Sequence, residues 1–562
     1  MTQKIKLSFF ASCAVFASAT LTYGADVPTV GNRPRLMEIP EKQKPEPKIN
    51  IKPQEDQISD IAKDSSKTLL INDYKFVGDR LIPAQELNAI VEPYKNRELN
   101  IKDIMNITKL VTKKYQDSGY IIAFAYIAPK SYQDGVLTIS TKSGIYGDVK
   151  LSNSSLVSDS AIGKILNSNK GKYITSGSLE RSILLTSDLP GVVVENADIA
   201  VGTKAGESDL IVKTKAAPRF DGYATFDNYG SVYTGLYEFG VGANANSPLG
   251  IGDKLSVTGM LTDGGGSKNG SVSYSAPIID NGLNLSVGYY RNQYSLGNDY
   301  AALNSVGTTS TVQANLSYPA IRSAKENLTV SVNPQMQLLG AEQLGENTQK
   351  RAGLVVFGVN YNKIIDIGLP ISFSTNSNYT IGKLTFQNSS DADLDVVTTN
   401  TSGTFSKLST STTVIVALTD LLSFKNVLNA QYALVNKNLD GSQAITIGGA
   451  YAVRAFPTTQ ESSSNGYIYT AELGYQLPTF ENYTHNVFVF YDIGRAYMSN
   501  NNSPSGYIPF NAEILQDIGI GYGISYKGLF AKFQLAHVIG GVQVQGVQYY
   551  TTKALFQVGL SL

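Results

Sequence analysis

From residue 218 onward, apolar side chains recur at every second position in short runs. Leu283, Leu285, Val287 and Tyr289 alternate with Asn284, Ser286, Gly288 and Tyr290. Val312, Ala314, Leu316 and Tyr318 alternate with Gln313, Asn315 and Ser317; Leu328, Val330 and Val332 alternate with Asn327, Thr329 and Ser331. Leu529, Ala531, Phe533 and Leu535 face away from Lys532 and Gln534. Period two is the period of a strand with two unlike faces. One apolar face and one small, polar face over about ten residues suit a strand between lipid and an aqueous lumen. A soluble β-sandwich alternates too, but a low-charge region as long as 218–562 favours a transmembrane antiparallel β-barrel. The final residues, Phe556, Val558, Leu560 and Leu562, also share one face. A barrel in lipid leaves no open edge, so this last strand is expected to pair with the first. At about ten residues per strand and as many per connection, the region holds about 16 strands, and about 14 to 18 would fit.

Charge separates this region from what precedes it. Residues 1–217 are about 24% charged and residues 218–562 about 12%, against about 25% in a typical soluble domain. Lys+Arg 46 balances Asp+Glu 46, so the chain has no basic excess to recommend nucleic acid as a partner. The only cysteine is Cys13, which excludes an intrachain disulfide framework and any multi-cysteine metal site. Lys4 and Lys6, an apolar run over 7–21 and small residues up to Gly24 have the order of a secretory signal peptide, 1–24. Phe10, Ala11 and Ser12 are a poor match for lipoprotein acylation at Cys13. No later stretch has the roughly 18 consecutive apolar residues of a membrane helix.

The segment 25–68 holds Pro28, Pro34, Pro40, Pro45, Pro47 and Pro53 with few large apolar groups, and reads as an extended linker. Two α/β modules follow, 69–143 and 144–217. In the first, a strand over 69–77 precedes a helix opened by Pro83. A second helix is capped by Asn100, with Ile104, Thr108, Val111 and Tyr115 on one face and Gly119 at its end. Strands over 121–127 and 136–140 complete it, turning at Asp134 and Gly135. The second module repeats the order: a strand at 147–151, helices from Ser158 and over 178–185, then strands at 192–194 and 210–213.

Several short motifs resemble one family. Tyr115, Gly119 and Tyr120, then Ala125, Tyr126 and Pro129, then Asp134, Gly135, Leu137 and Ile139 resemble the first POTRA domain of two-partner secretion transporters. Ser178 to Arg181, Asp188 to Gly191, and Gly206 with Ser208 to Leu210 resemble their second. Asp227 to Gly230 and Pro248 to Gly250 with Gly252 and Asp253 resemble the start of the family's barrel. Val453, Arg454, Ala455 and Phe456 resemble its lumenal-loop motif; Phe490, Asp492 and Gly494 resemble the matching strand motif. On these residues the chain resembles the TpsB-type outer-membrane transporters, the hemolysin activators of the ShlB/FhaC/HecB family within the BamA-like superfamily.

The strand motif has a physical reading of its own. Val489, Tyr491 and Ile493 form the apolar face, which puts Phe490, Asp492 and Gly494 in the lumen. A carboxylate there is matched by a cation, and a guanidinium can bind it bidentately. Arg454 lies between Gly448 and Gly449 on one side and the flexible 458–466 stretch on the other, so its loop can fold inward. Two ordinary lumenal charges would be the plain alternative. The resemblance implies that the loop enters the barrel and that Arg454 meets Asp492. Three features depart from the family's pattern: Ala455 replaces a glycine and would be strained at positive φ, the chain ends on Leu562 rather than an aromatic, and 26–50 is too proline-rich for a long plug helix.

No catalytic, cofactor or metal residues are expected. His485 and His537 sit in alternating segments without further ligands nearby, and neither a nucleophile elbow nor a phosphate loop occurs. Gly519, Gly521 and Gly523 recur at period two and read as strand positions. The resemblance implies an export pore in the outer membrane of a Gram-negative bacterium, embedded in lipid, with its POTRA domains in the periplasm. Those domains would receive an unfolded secreted partner, a large adhesin, hemolysin or contact-dependent toxin. An outer-membrane insertase and, less fittingly, a passive porin are the alternatives.

Overall fold

The computed structural model describes residues 48–51, 68–497, 512–541 and 551–562, apart from 205, 280, 436 and 459–461. The signal peptide, Cys13, most of the proline-rich segment and any plug helix lie outside the described residues.

In the first module, helices Ala84–Val91 and Ile101–Asp117 cover a sheet in which Val136–Ser143 pairs parallel with Asp73–Gly78 and antiparallel with Ala123–Tyr126. Asn100 Oδ1 accepts the Asp103 N–H at 3.0 Å, and Asp103 Oδ2 accepts the Asn100 N–H at 3.1 Å. This reciprocal cap fixes where the second helix starts. Its buried face carries Ile104, Ile107, Thr108, Val111 and Tyr115, at helical spacing. Gly119, at φ +94°, turns the chain out of the helix.

The second module packs helices Asp159–Asn167 and Ser176–Asp188 on strands Val192–Val201, Glu207–Ala216 and Ile145–Ser154. The strands run well past the short apolar stretches that betray them in the sequence. Lys48–Ile51, inside the segment read as a linker, adds a parallel strand to Val192–Val201. Strand addition needs backbone pairing and no core, so proline richness around it does not forbid it.

From Phe220–Asp227 to Thr552–Ser561, sixteen strands form a closed barrel, each antiparallel to the next. The first and last strands close it, with Tyr223 to Asp227 opposite Ser561 to Gln557. Leu562, the departure at the chain's end, donates its N–H to the Gly222 carbonyl at 2.8 Å and so extends the closure. Leu285, Val287, Val312, Leu316, Val330, Val332, Phe533 and Leu535 stand exposed on the outer face. These are the apolar positions of the alternating runs, turned toward lipid. Among the described residues no helix is long and apolar enough to cross a membrane; strands make this crossing.

The second module docks on the barrel's near rim. Arg322 binds Asp188 through Nε and a terminal nitrogen, both at 2.7 Å. Arg181 donates to the Asn281 carbonyl at 3.1 Å, and Glu180 accepts the Ala324 N–H at 2.9 Å. Ser158 N–H reaches the Gly250 carbonyl at 2.8 Å, and Gly252, at φ +82°, leaves room for Leu189. Motif residues from the second module and from the barrel's opening thus meet at one junction.

Candidate functional site

The connection between strands Leu422–Ala433 and Asn465–Gln476 does not stay outside. It folds into the lumen, where a short ladder pairs Ile445–Thr446 with Ser462–Ser463. Its tip, Ala452 to Phe456, lies against the inner wall made by the last strands. Ile447, Val453, Ala455 and Phe456 pack with Ile468, Phe488, Phe490, Leu515 and Ala536 in a buried apolar cluster. Lumenal walls are usually wet and polar, so this cluster marks the place the wall is built to be covered.

Local sequence explains how the tip fits. Gly494 faces the lumen, and a Cβ there would come within 2.9 Å of Val453 Cγ2 and 3.0 Å of Ile447 Cβ. Gly519 and Gly521, on the neighbouring strand, leave the space taken by the rings of Phe490 and Phe488. The period-two glycines are therefore seats for aromatic side chains, in register with them across the strand pair.

Arg454 is buried, and its guanidinium stacks over the Phe490 ring at 3.7 Å from the centroid. Nε lies 3.2 Å from Asp492 Oδ2, one terminal nitrogen donates to Gln534 Oε1 at 2.9 Å, and the other to Glu472 Oε2 at 3.4 Å. The bidentate fork anticipated for Asp492 is not made. The ring beneath fixes the guanidinium plane, and three acceptors from three strands share its donors. Asp492 is fully buried and takes a hydrogen bond from Thr470 Oγ1 at 2.7 Å. Directly opposite it on the next strand stands Asp517, equally buried. Asp517 accepts the Ala455 N–H at 2.6 Å. Ala455 is not among the residues at positive φ, so the strain anticipated there does not arise. Phe456 is buried, and its carbonyl accepts from Lys553 Nζ at 3.3 Å.

All seven motif residues thus converge at one place. Glu472, Gln534, Asp517 and Thr470 belong with them and were not legible beforehand. Thr470 and Glu472 lie opposite Asp492 and Phe490 in register, so only the pairing of strands brings them in. The histidines sit elsewhere. His485 is hydrogen bonded to the Tyr522 hydroxyl at 3.0 Å and His537 to Thr552 Oγ1 at 2.7 Å.

A closed barrel, two POTRA-type modules with the second docked on one rim, and an inward loop tied to the wall define an outer-membrane protein transporter of the two-partner secretion class. Comparison with known proteins agrees. A family model described as haemolysin secretion/activation protein ShlB/FhaC/HecB matches residues 206–522, and a POTRA domain model of the ShlB type matches 69–143. The chain belongs to the ShlB/FhaC/HecB family of haemolysin secretion and activation proteins. It is 27% identical over 458 residues to the heme/hemopexin transporter protein HuxB of Haemophilus influenzae strain 86-028NP, covering 80% of each chain. It is 22% identical over 482 residues to the outer membrane transporter CdiB of Dickeya dadantii, covering 81% of this chain and 83% of that one. The solved structure of CdiB from Escherichia coli has the same fold, with a TM-score of 0.74 at 18% identity, over 91% of this chain and 94% of the other. CdiB from Acinetobacter baumannii gives 0.65 at 17%, over 92% and 95%. The protein accordingly sits in the outer membrane with its POTRA domains in the periplasm and exports a secreted protein through its barrel.

Proposed function

We propose that the exported partner is a large adhesin, haemolysin or contact-dependent toxin, received unfolded by the periplasmic modules and passed through the lumen once the Arg454 loop leaves its seat. Sheet edges such as Ala123–Tyr126 and Ile145–Ser154 suit an extended client, because backbone pairing gives affinity with little demand on sequence. The observation that carries the reading is the loop itself, which folds into the lumen and is tied down by a buried ion pair. Val453, Arg454, Ala455 and Phe456 act as the latch, and Phe490, Asp492 and Gly494 as its keeper. No bound nucleotide or reaction is needed, since outward folding of the client draws the chain through.

Deleting residues 69–217 tests the division of labour. A heat-modifiable barrel should still reach the outer membrane while export of a co-expressed partner is abolished. Normal export by the deleted form would overturn the recognition role. Impermeant labelling of intact cells should leave thiols placed in the modules untouched, because an even number of strands puts both barrel ends on one side.

A further inference from the structure

On its outer wall, across the seam between the first and last strands, the barrel carries an apolar groove of about 620 Å³. Register shows how it is made. Phe226, Val558, Ala531 and Ile524 stand opposite one another in a row over four strands. Ala224, Leu560, Leu529 and Tyr526 form the next row toward the periplasm. Ala224 and Ala531 are the small members of the two rows, and the larger side chains around them stand as walls. Phe226 stacks with Phe239 on the far side, ring centroids 4.7 Å apart.

The near side of the groove lies at the periplasmic rim. Tyr526 stacks on Tyr483 there at 4.4 Å. The turn that follows, Lys527 at φ +44° and Gly528 at φ +91°, sets Lys527 Nζ 5.1 Å over the Tyr526 ring. Tyrosines of this kind mark the headgroup level of a bilayer, and a cation beside them is at the depth of lipid phosphates. An apolar hollow below that level is not left empty, because its lining would lose dispersion contacts on one side. Acyl chains are the apolar molecules at hand. The seam also gives an occupant something to hold. The first and last strands share five residue pairs, against eight and nine on the ladders to either side, and the groove takes its walls from both sides of that short ladder.

We propose that a phospholipid of the periplasmic leaflet is a resident ligand of this groove, one acyl chain lying across the seam and its phosphate at Lys527. The chain touches strands on both sides of the closure and adds apolar contact where backbone pairing is shortest. The depth of Lys527 and the tyrosine pair selects the periplasmic leaflet as the source. The site stands apart from the lumenal loop and does not depend on how that loop moves.

The experiment weighs the full chain by native mass spectrometry after extraction from membranes in a mild detergent. The unaltered protein should carry one phospholipid. Ala531→Phe, which fills the groove from a lipid-facing position, should lose it, and Lys527→Glu should lower the fraction retained. Leu316→Phe, exposed on the outer wall away from the seam, should retain it in full. Heat-modifiable migration checks that each barrel has closed, and Ala224→Phe replaces Ala531→Phe if that variant fails to fold. Phosphatidylethanolamine added back to delipidated protein should raise the Tm of the unaltered chain, as a ligand of the folded state does, and leave that of Ala531→Phe unchanged. Equal retention by Ala531→Phe and Leu316→Phe would overturn the site, as would lipopolysaccharide in place of phospholipid or no lipid at all. An equal Tm shift in the unaltered chain and Ala531→Phe would overturn the bridging role at the seam.

Discussion

In the second periplasmic module, Ile162, Leu179, Ile183 and Val212 close on one another in a centre that water does not reach. In the barrel, Leu285, Val312 and Leu535 point outward into lipid, and buried apolar residues collect mainly where the inserted loop meets the wall. The same contrast governs charge. Module ion pairs such as Lys170–Asp148 and Lys95–Asp73 lie at the surface, where such pairs contribute little. The barrel places Arg454–Asp492 and Lys350–Asp440 in the interior, where a missing partner is costly. Solvent, and with it the meaning of inside, differs between the two halves of one chain.

The sharpest break of this contrast is at the latch. Arg454→Ala leaves Asp492 and Glu472 without their guanidinium, and removing one member of a desolvated pair costs on the order of 3–5 kcal/mol when burial is deep. Export should fall sharply with little change in membrane level. Asp492→Ala should do likewise, and the double variant should be no worse than the worse single. A double-mutant cycle on secretion checks this; strictly additive losses would mean that the two act separately. Lys at position 454 should rescue poorly, since a compact ammonium cannot reach Asp492, Gln534 and Glu472 together.

A core change in the module should cost a similar amount for a different reason. Leu179→Ala opens a cavity in the second module, and such truncations cost about 2–5 kcal/mol. Limited proteolysis should show the module cut faster while the barrel keeps its heat-modifiable migration. A barrel that also failed would show that the two regions fold as one unit.

Asp188→Ala, at the docking junction, should have a smaller effect. The Arg322 pair is bidentate but partly exposed, so about 1 kcal/mol or less is at stake. Spin-label distances between module and barrel should broaden, and salt should mimic the mutation in the wild type. At the bottom of the range, Lys170→Ala should change module stability by no more than about 0.5 kcal/mol, as read from denaturant midpoints of the isolated signal of that module.

What the sequence made legible follows from the same physics. Alternation alone put Asp492 in the lumen and Leu285 in lipid, because period two fixes the face of every residue once one is placed. The helix cap at Asn100 was equally local. Partners across strands were not local. Glu472 and Gln534 reach Arg454, and Asp517 reaches Ala455, through the register of four strands, and no single strand's pattern contains that register. The bidentate pairing expected of Arg454 and Asp492 failed for this reason: the extra acceptors and the Phe490 ring turn the guanidinium away from a one-to-one fork. The strand at Lys48–Ile51 escaped because backbone pairing leaves almost no trace in side-chain composition. The two glycines read as plain strand positions, Gly519 and Gly521, needed the rings across from them to show their use.

The tip of the loop also touches residues from both ends of the barrel sequence. Arg454 is bonded to Gln534, Gln534 donates to the Tyr229 hydroxyl at 3.2 Å, and Phe456 meets Lys553. Tyr229 follows the first strand directly, and Lys553 lies in the last. During biogenesis these contacts cannot exist until the final strand has been threaded and the cylinder has shut. The seated loop therefore reports on completion: its wall of four adjacent strands forms without the seam, but its links to Tyr229 and Lys553 require the last strand to lie beside the first.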